Sequence, residues 1–326
     1  MRVGRGRHRS AAAVGADVTP YVLRRLLYTL FVVWGAVTII FVVMRFVPGD
    51  PAIALLGATA TPEQIAAARV RLGLDDPVLV QYGRYLVRAV QFDFGESFRL
   101  GGPAMRHVLD RLPATLVLAL ASTALAVVVG FPLGVAAARL HGTWFDRWVT
   151  RVSLVGQALP TFWTGIMLIL VFARTLRWLP SGGASTWQHM ILPTVALGLP
   201  FMSIVVRLAR SGLLDVMNEM YVQVARSKGI SERRVVYRHA VRNMLLPVVT
   251  VVGLQLGVLI GGAVIVETVF AWPGLGRLLI DAIRGRDYPI VQAATAVIAA
   301  TFVVMNLLVD VTYTWLDPRV RVPGTS

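Results

Sequence analysis

The sequence predicts an all-α polytopic membrane protein with six transmembrane helices. Three observations predict it. The 326-residue chain is 56% hydrophobic and only 15% charged. Several apolar runs approach the twenty residues that cross a hydrocarbon core. The charges gather in short segments beside those runs, as they do in loops between spans. A net charge of +15 could suggest a nucleic-acid partner, but this clustering argues against one. The absence of cysteine excludes disulfides and thiolate metal sites. Lys228 is the only lysine and no G-K-[ST] surrounds it, so a Walker-type nucleotide site must belong to another chain.

Residues 1–25 begin with the basic string MRVGRGRHRS and read as a cytoplasmic N-terminal segment. The first span is expected over 26–47. It is too long for the core of a secretory signal, and Ala58-Thr59-Ala60 lies too far beyond it to be a cleavage site. Arg45 can snorkel to the interface. The polar insertion that follows, 48–111, is near neutral and partly helical. Thr61 reads as an N-cap with Pro62 at the first helical position, and Asp75-Asp76-Pro77 starts another helix. The insertion is either a solvated cap or a docking surface.

The second span is expected over 112–138, with Pro113 at its start and Gly130, Pro132 and Gly134 near its inner end. The third, 152–172, contains Gln157, Pro160 and Gly165. The fourth, 190–208, contains Pro193 and Pro200. Prolines in spans free carbonyls that neighbours must satisfy, so each is a packing kink or a gating point. The fifth span, 246–266, places Gly253, Gly257 and Gly261 at every fourth position, a face that another helix can approach closely. Gln255 lies inside it and Glu267 ends it. An ionisable group at membrane depth is a functional candidate, so Glu267 either lines a pathway or sits at the interface. The sixth span is expected over 290–313, with Asn306 and Asp310 towards its inner end.

Between the fourth and fifth spans lies a stretch that cannot be in lipid. Residues 207–242 hold eight basic and three acidic side chains. At roughly 3 kcal/mol each, burying them in the bilayer would cost on the order of 30 kcal/mol. Met217, Tyr221 and Val224 share a helical face, with Ala225 beside them. Gly229 is placed to close that helix in the left-handed conformation. Ser231 then reads as the N-cap of a second helix, with Glu232 in its first turn, and Pro247 marks entry into the next apolar run. The pattern suits an amphipathic knuckle that docks in a partner's groove, or an ordinary basic loop. Counted over short loops, nineteen basic residues fall on the knuckle's side against five on the other. This puts the knuckle and both termini in the cytoplasm.

The run EMYVQVARSKGISERR (219–234) resembles the coupling loop of ABC importer permeases. Its continuation RHAVRNMLLP (238–247) is similar to the dipeptide/oligopeptide/nickel branch of that family, as is ETVFAWPGLGR (267–277). PGDP (48–51), LGLD (72–75), DFGES (93–97), DYP (287–289) and LDPR (316–319) resemble the same branch, in particular its first, B-type permease. Two departures from the general importer pattern are visible. Gln223-Val224-Ala225 stands where E-A-A would be, and the gap from Gly229 to Leu246-Pro247 is longer; both suit this branch.

The resemblance implies a type I ABC importer fold. The first helix and extracytoplasmic loop would occupy 26–111. A five-helix transmembrane domain would occupy 112–316, with the coupling loop at 209–245, and 317–326 would form a cytoplasmic tail. It implies a multi-pass subunit of a bacterial inner membrane that carries peptides. Its partners would be a second homologous permease, one or two ATPase subunits that bind ATP and Mg, and an extracytoplasmic binding lipoprotein or periplasmic binding protein. Nickel chelate, glutathione or haem are alternative cargoes. Tyr221, Ala225 and Ile230 are expected to fill the ATPase groove, with Arg226, Lys228, Arg233 and Arg234 around them and Gly229 at the turn. Gln157, Gln255, Gly253, Gly257, Gly261 and Glu267 are pathway or packing candidates. No H-E-x-x-H, G-x-S-x-G or P-loop signature points to an enzyme, and the five scattered histidines point to no metal site.

Overall fold

A computed structural model describes residues 18–46, 49–57 and 59–316; the expectations for 1–17 and for the tail 317–326 fall outside these. The first helix, α1 (Val18–Phe46), contains a 20-residue apolar stretch, Leu27–Phe46. At 1.5 Å per residue this spans about 30 Å. It stands at the edge of the bundle, with Val37 and Phe41 turned inward.

The insertion after it folds into three short helices. Asp50 caps α2 (Pro51–Leu56) by accepting from the Ala52 amide at 2.8 Å. The expected cap of α3 (Pro62–Leu72) is present as a full capping box between Thr61 and Gln64, with Pro62 in the first turn. Helix α4 (Val78–Val90) starts where Pro77 predicts, but neither preceding aspartate caps it. Asp75 pairs with Arg69, and Asp76 with Arg84.

The second span begins earlier than expected. Helix α5 (Ala104–Leu125) carries Pro113 in its interior. It continues through a π turn (Ala126–Gly130) into α6 (Phe131–Arg139), making one stretch of 36 residues. The π turn directly precedes Pro132, which has no N–H to continue the ladder. The third span, expected over 152–172 with a proline kink or gating point at Pro160, is broken there and begins earlier, at Trp144. Helix α7 (Trp144–Ala158) and α8 (Thr161–Leu168, extended by a π turn Ile169–Thr175) meet at 106°. Leu159, forced out of the helical region by the following Pro160, is extended at φ −74°, ψ 127°.

Helix α9 (Ile191–Met217) is the centre of the molecule. Its apolar window is 56% buried, against 11% for that of α1. It runs nine residues past the expected end at 208 and carries Arg210 in that extension, where Ala209 and Leu213 are still buried. The core joins Leu192, Leu197, Phe201 and Val205 of α9 to Leu118 and Ala126 on one side, and to Leu259, Ile260 and Phe270 on the other.

Beyond α9 come α10 (Met220–Ser227), the single turn α11 (Glu232–Arg234), a π turn (Val235–Ala240) and α12 (Val241–Val269). The second knuckle helix is therefore not separate. It is the start of the fifth span, and Pro247 lies inside that helix rather than at its entry. Ser231 sits at the N-cap position but makes no side-chain cap. Helix α13 (Leu275–Gly285) and α14 (Tyr288–Leu316) complete the chain. Among the described residues, five helices are long and apolar enough to cross a membrane, and the bent pair, counted as one span, makes a sixth.

Candidate functional site

The knuckle is built by a small core of its own. Val222 and Ala225 of α10 pack on Val235, with Val216, Met217 and Ile230 around them. The turn after α10 is a Schellman motif. The Ile230 amide donates to the Ala225 carbonyl at 3.3 Å, and the Gly229 amide to the Arg226 carbonyl at 2.9 Å. Gly229 takes φ +73°, which a residue with a Cβ adopts only with strain. Across this turn Arg226 grips Glu232 with two hydrogen bonds, Nε to Oε2 at 3.1 Å and Nη2 to Oε1 at 2.7 Å. The guanidinium holds the Glu232 carboxyl below its usual range. Asn243 of α12 donates to the Tyr221 hydroxyl at 2.7 Å, tying the tip to the fifth span.

These contacts sort the expected groove residues. Tyr221 faces out, whereas Ala225 and Ile230 face inward and hold the knuckle together, because the Schellman turn needs an apolar contact across it. Met220, 77% exposed, and Val224 share the outward face with Tyr221. Val224 is legible in the sequence as the helical partner of Tyr221; Met220 has no such signal. Lys228, Arg233 and Arg234 are exposed at the rim. Arg233, Arg234 and Arg238 line a shallow open pocket with Ser231 and Tyr237. Arg139 of α6 donates to the Tyr237 hydroxyl at 3.2 Å and lies over its ring.

A second bracing point escaped sequence reasoning. Asp146 of α7 is buried and accepts two hydrogen bonds from Arg210 of α9, Nε to Oδ1 at 2.5 Å and Nη2 to Oδ2 at 2.9 Å. The Gly142 amide and His141 Nδ1 lie 3.0 and 3.1 Å from Oδ2. The Thr143-x-x-Asp146 spacing, with the Thr143 hydroxyl accepting from the Asp146 amide, was the available signal.

At the other end of the bundle, Glu267 does not line a pathway in this chain, since it is 0% exposed. Its Oε1 accepts from the Thr115 hydroxyl at 2.6 Å, and its Oε2 from the Gly276 and Arg277 amides at 2.7 and 3.1 Å. Thr115 in turn accepts from the Leu275 amide at 2.8 Å. The three amides are the unpaired donors that open α13. A Cβ on Gly274 would fall 2.2 Å from the Glu267 carboxyl, so only glycine admits this clasp. Asp287 acts alike: it accepts from the Ser97 hydroxyl and from the Phe98 and Arg99 amides, the latter two at 3.2 Å each. Two motifs read separately in the sequence, DFGES and DYP, therefore meet in space.

Of the remaining candidates, Gly253 and Gly257 pack against Val309 and Phe302 of α14, while Gly261 is exposed with open space beside it. Gln255 is half-buried, and Gln157 is exposed just before the break in the third span.

A bundle of long apolar helices with a charged knuckle between its fourth and fifth spans is that of a polytopic membrane protein. Comparison with known proteins identifies which one. The chain belongs to the family of inner-membrane components of binding-protein-dependent transport systems, within the ABC importer permeases of the peptide/dipeptide group. The family's main region matches 130–322 and its N-terminal region 18–119. The chain is 42% identical over 301 residues to the glutathione transport system permease protein GsiC of Salmonella paratyphi A, covering 92% of this chain and 98% of that one. It is 42% identical over 312 residues to a putative peptide transport system permease of Brucella abortus, covering 93% and 99%. It is 38% identical over 329 residues to the dipeptide transport system permease DppB of Alkalihalophilus pseudofirmus, covering 92% and 99%. In fold it is similar to a chain of the inward-facing MetNI methionine ABC transporter. The TM-score is 0.53 at 18% identity, covering 67% of this chain and 98% of that one.

Proposed function

We propose that this chain is one of two homologous permease subunits of an ATP-driven importer of short peptides, and that its knuckle receives the stroke of an ATPase subunit. The observation that carries the reading is the outward apolar face Met220–Tyr221–Val224, projecting from the membrane on a helix pair braced by its own core. An amphipathic helix of this kind fits a partner's groove. Tyr221, Met220 and Val224 fill that groove, while Arg226, Lys228, Arg233 and Arg234 surround it. Ala225, Gly229 and Ile230 set the knuckle's shape.

The excess of basic residues in short loops supports placing the knuckle and both termini in the cytoplasm. ATP and Mg are bound by one or two partner ATPase chains, which is in keeping with a sequence that has no P-loop lysine. A binding lipoprotein or periplasmic binding protein delivers cargo to the opposite face. Transport follows from rocking of the bundles against each other. The dipeptide and peptide names among the relatives support a peptide cargo. Glutathione, itself a small peptide, is the variant favoured by the GsiC similarity.

The test is reconstitution of both permeases with the ATPase chains in liposomes. Peptide-loaded binding protein is expected to stimulate ATP hydrolysis and uptake, and Val224→Asp to abolish uptake while the complex still inserts. Uptake that proceeds with no ATPase present rejects the reading.

A further inference from the structure

We infer that α4 is an interfacial helix whose outer flank is sunk in membrane lipid, in the leaflet opposite the knuckle. Its depth comes from its contacts with α1. Arg45 donates to Gln81 at 2.6 Å, the hydroxyls of Thr38 and Tyr82 are 2.7 Å apart, and the Phe41 ring lies 5.2 and 5.3 Å from those of Tyr82 and Tyr85. All three α1 residues belong to the apolar stretch Leu27–Phe46. Thr38 is eight residues from its end, about 12 Å down the helix axis. A helix that meets the span at these positions lies beside hydrocarbon, below the level at which the polar insertion leaves the membrane.

The sides of α4 divide accordingly. Tyr85, Leu86 and Ala89 pack on the core formed by Val37, Phe94 and Val108. Arg84 and Arg88 lie on a different side, each paired, with Asp76 at 2.8 Å and Asp93 at 3.0 Å. The third side is apolar and uncovered: Leu79 is 82% exposed, Val90 80%, and Val87, Gly83 and the following Phe92 are exposed with them. No residue of the core is drawn from that stripe.

Lipid is the occupant because the stripe continues an apolar surface that lipid already covers. On α1, the arc next to the α4 contact exposes Ile39, Val42, Val43 and Phe46 within the same depth. A helix with one large apolar flank and its charges neutralised on another side matches the lipid–water boundary, where apolar faces sink about 5–10 Å. The insertion is thus divided, with α3 and its charges in water and α4 in the membrane surface.

The chain has no cysteine, so single cysteines introduced into it report cleanly once the partner chains are also cysteine-free. Leu79→Cys, Val87→Cys and Val90→Cys, with Glu63→Cys on α3 as the water reference, are spin-labelled in the assembled transporter in phosphatidylethanolamine/phosphatidylglycerol vesicles. Collision with oxygen is compared with collision with a water-soluble nickel chelate. Gly83→Cys is a further reporter, since nothing lies within 4 Å of a Cβ there and the substitution cannot disturb packing. The expected result is an oxygen-to-nickel ratio several-fold higher at 79, 83, 87 and 90 than at 63. A ratio equal to that at 63 places the stripe in water and overturns the inference. Shielding from both reagents means a protein covers it, and overturns the inference as well.

Discussion

Glu267 and Asp287 each do at long range what an N-cap residue does locally. Glu267 at the end of α12 supplies acceptors to amides of α13, and Asp287 at the start of α14 holds amides of the loop after Gly95. Removing an acceptor from buried donors costs the desolvation of each, about 1–3 kcal/mol. Glu267→Ala is therefore expected to destabilise the detergent-solubilised chain by roughly 2–5 kcal/mol; an unchanged Tm rejects the clasp. The Arg226–Glu232 pair is a different case. Its side chains are 42% and 58% exposed, so it contributes at most about 1 kcal/mol. Its pH dependence follows from sign. Because the folded carboxyl is held below its unfolded value of about 4.3, the contribution is complete above that value and is lost only as pH falls through the folded one. The ratio of uptake to ATP hydrolysis is thus expected to be flat from about pH 6 to 8 as far as this pair is concerned. A step in that ratio abolished by Glu232→Gln contradicts it.

Among the elements, those with a local cause were legible and those with a distant one were not. Thr61, Pro62 and Gly229 act on their own neighbours, and each does in the structure what its chemistry dictates. Among the described residues, five spans follow from apolar runs of about twenty residues or more, and the broken pair makes a sixth. Pro113 and Pro247 look like helix starts, but both lie inside helices because packed neighbours and the extension of the helix beyond the apolar run override the local signal. The 106° break at Pro160 was visible as a proline but not as an angle. Similarly, the glycine row of α12 announces close approach without saying where it stops. Only 253 and 257 meet α14. Gly253→Leu, whose first side-chain carbon would start 2.3 Å from Val309, is expected to cost about 1–3 kcal/mol. Gly261→Leu, in open space, should stay within about 0.5 kcal/mol in the isolated chain. Thermal melting of the two variants side by side checks the contrast, and equal losses refute it.

For the whole molecule, the knuckle proposed to couple to a partner stands where the sequence expects a short helix and a glycine turn, but the face of each of its residues was only half legible. The motif singled out Ala225 and Ile230 with Tyr221, and burial shows that the first two serve shape. Face could not be read from spacing because α10 has only eight residues and is clad on one side by Val235 from another element. A functional contrast follows. Met220→Asp is expected to lose peptide uptake by at least about tenfold, equivalent to about 1.4 kcal/mol of lost docking, while leaving Tm unchanged. Ala225→Asp should lower Tm as well, since it buries a charge. Comparing uptake with melting separates the two roles, and a Met220→Asp variant that transports normally removes the outward face from the coupling account.

The path from Glu232 to Val269 has no interruption, being one turn of α-helix, one π turn and the fifth span in continuous succession. At 1.5 Å per residue that helical path is roughly 57 Å long. A rod of that length, tilted by about 5° around a fixed foot, would sweep its far tip through roughly 5 Å, about the height of one helical turn. The Glu267 clasp sits at that tip, so the start of α13 would feel any small cant applied at Gly229 as an amplified sideways travel.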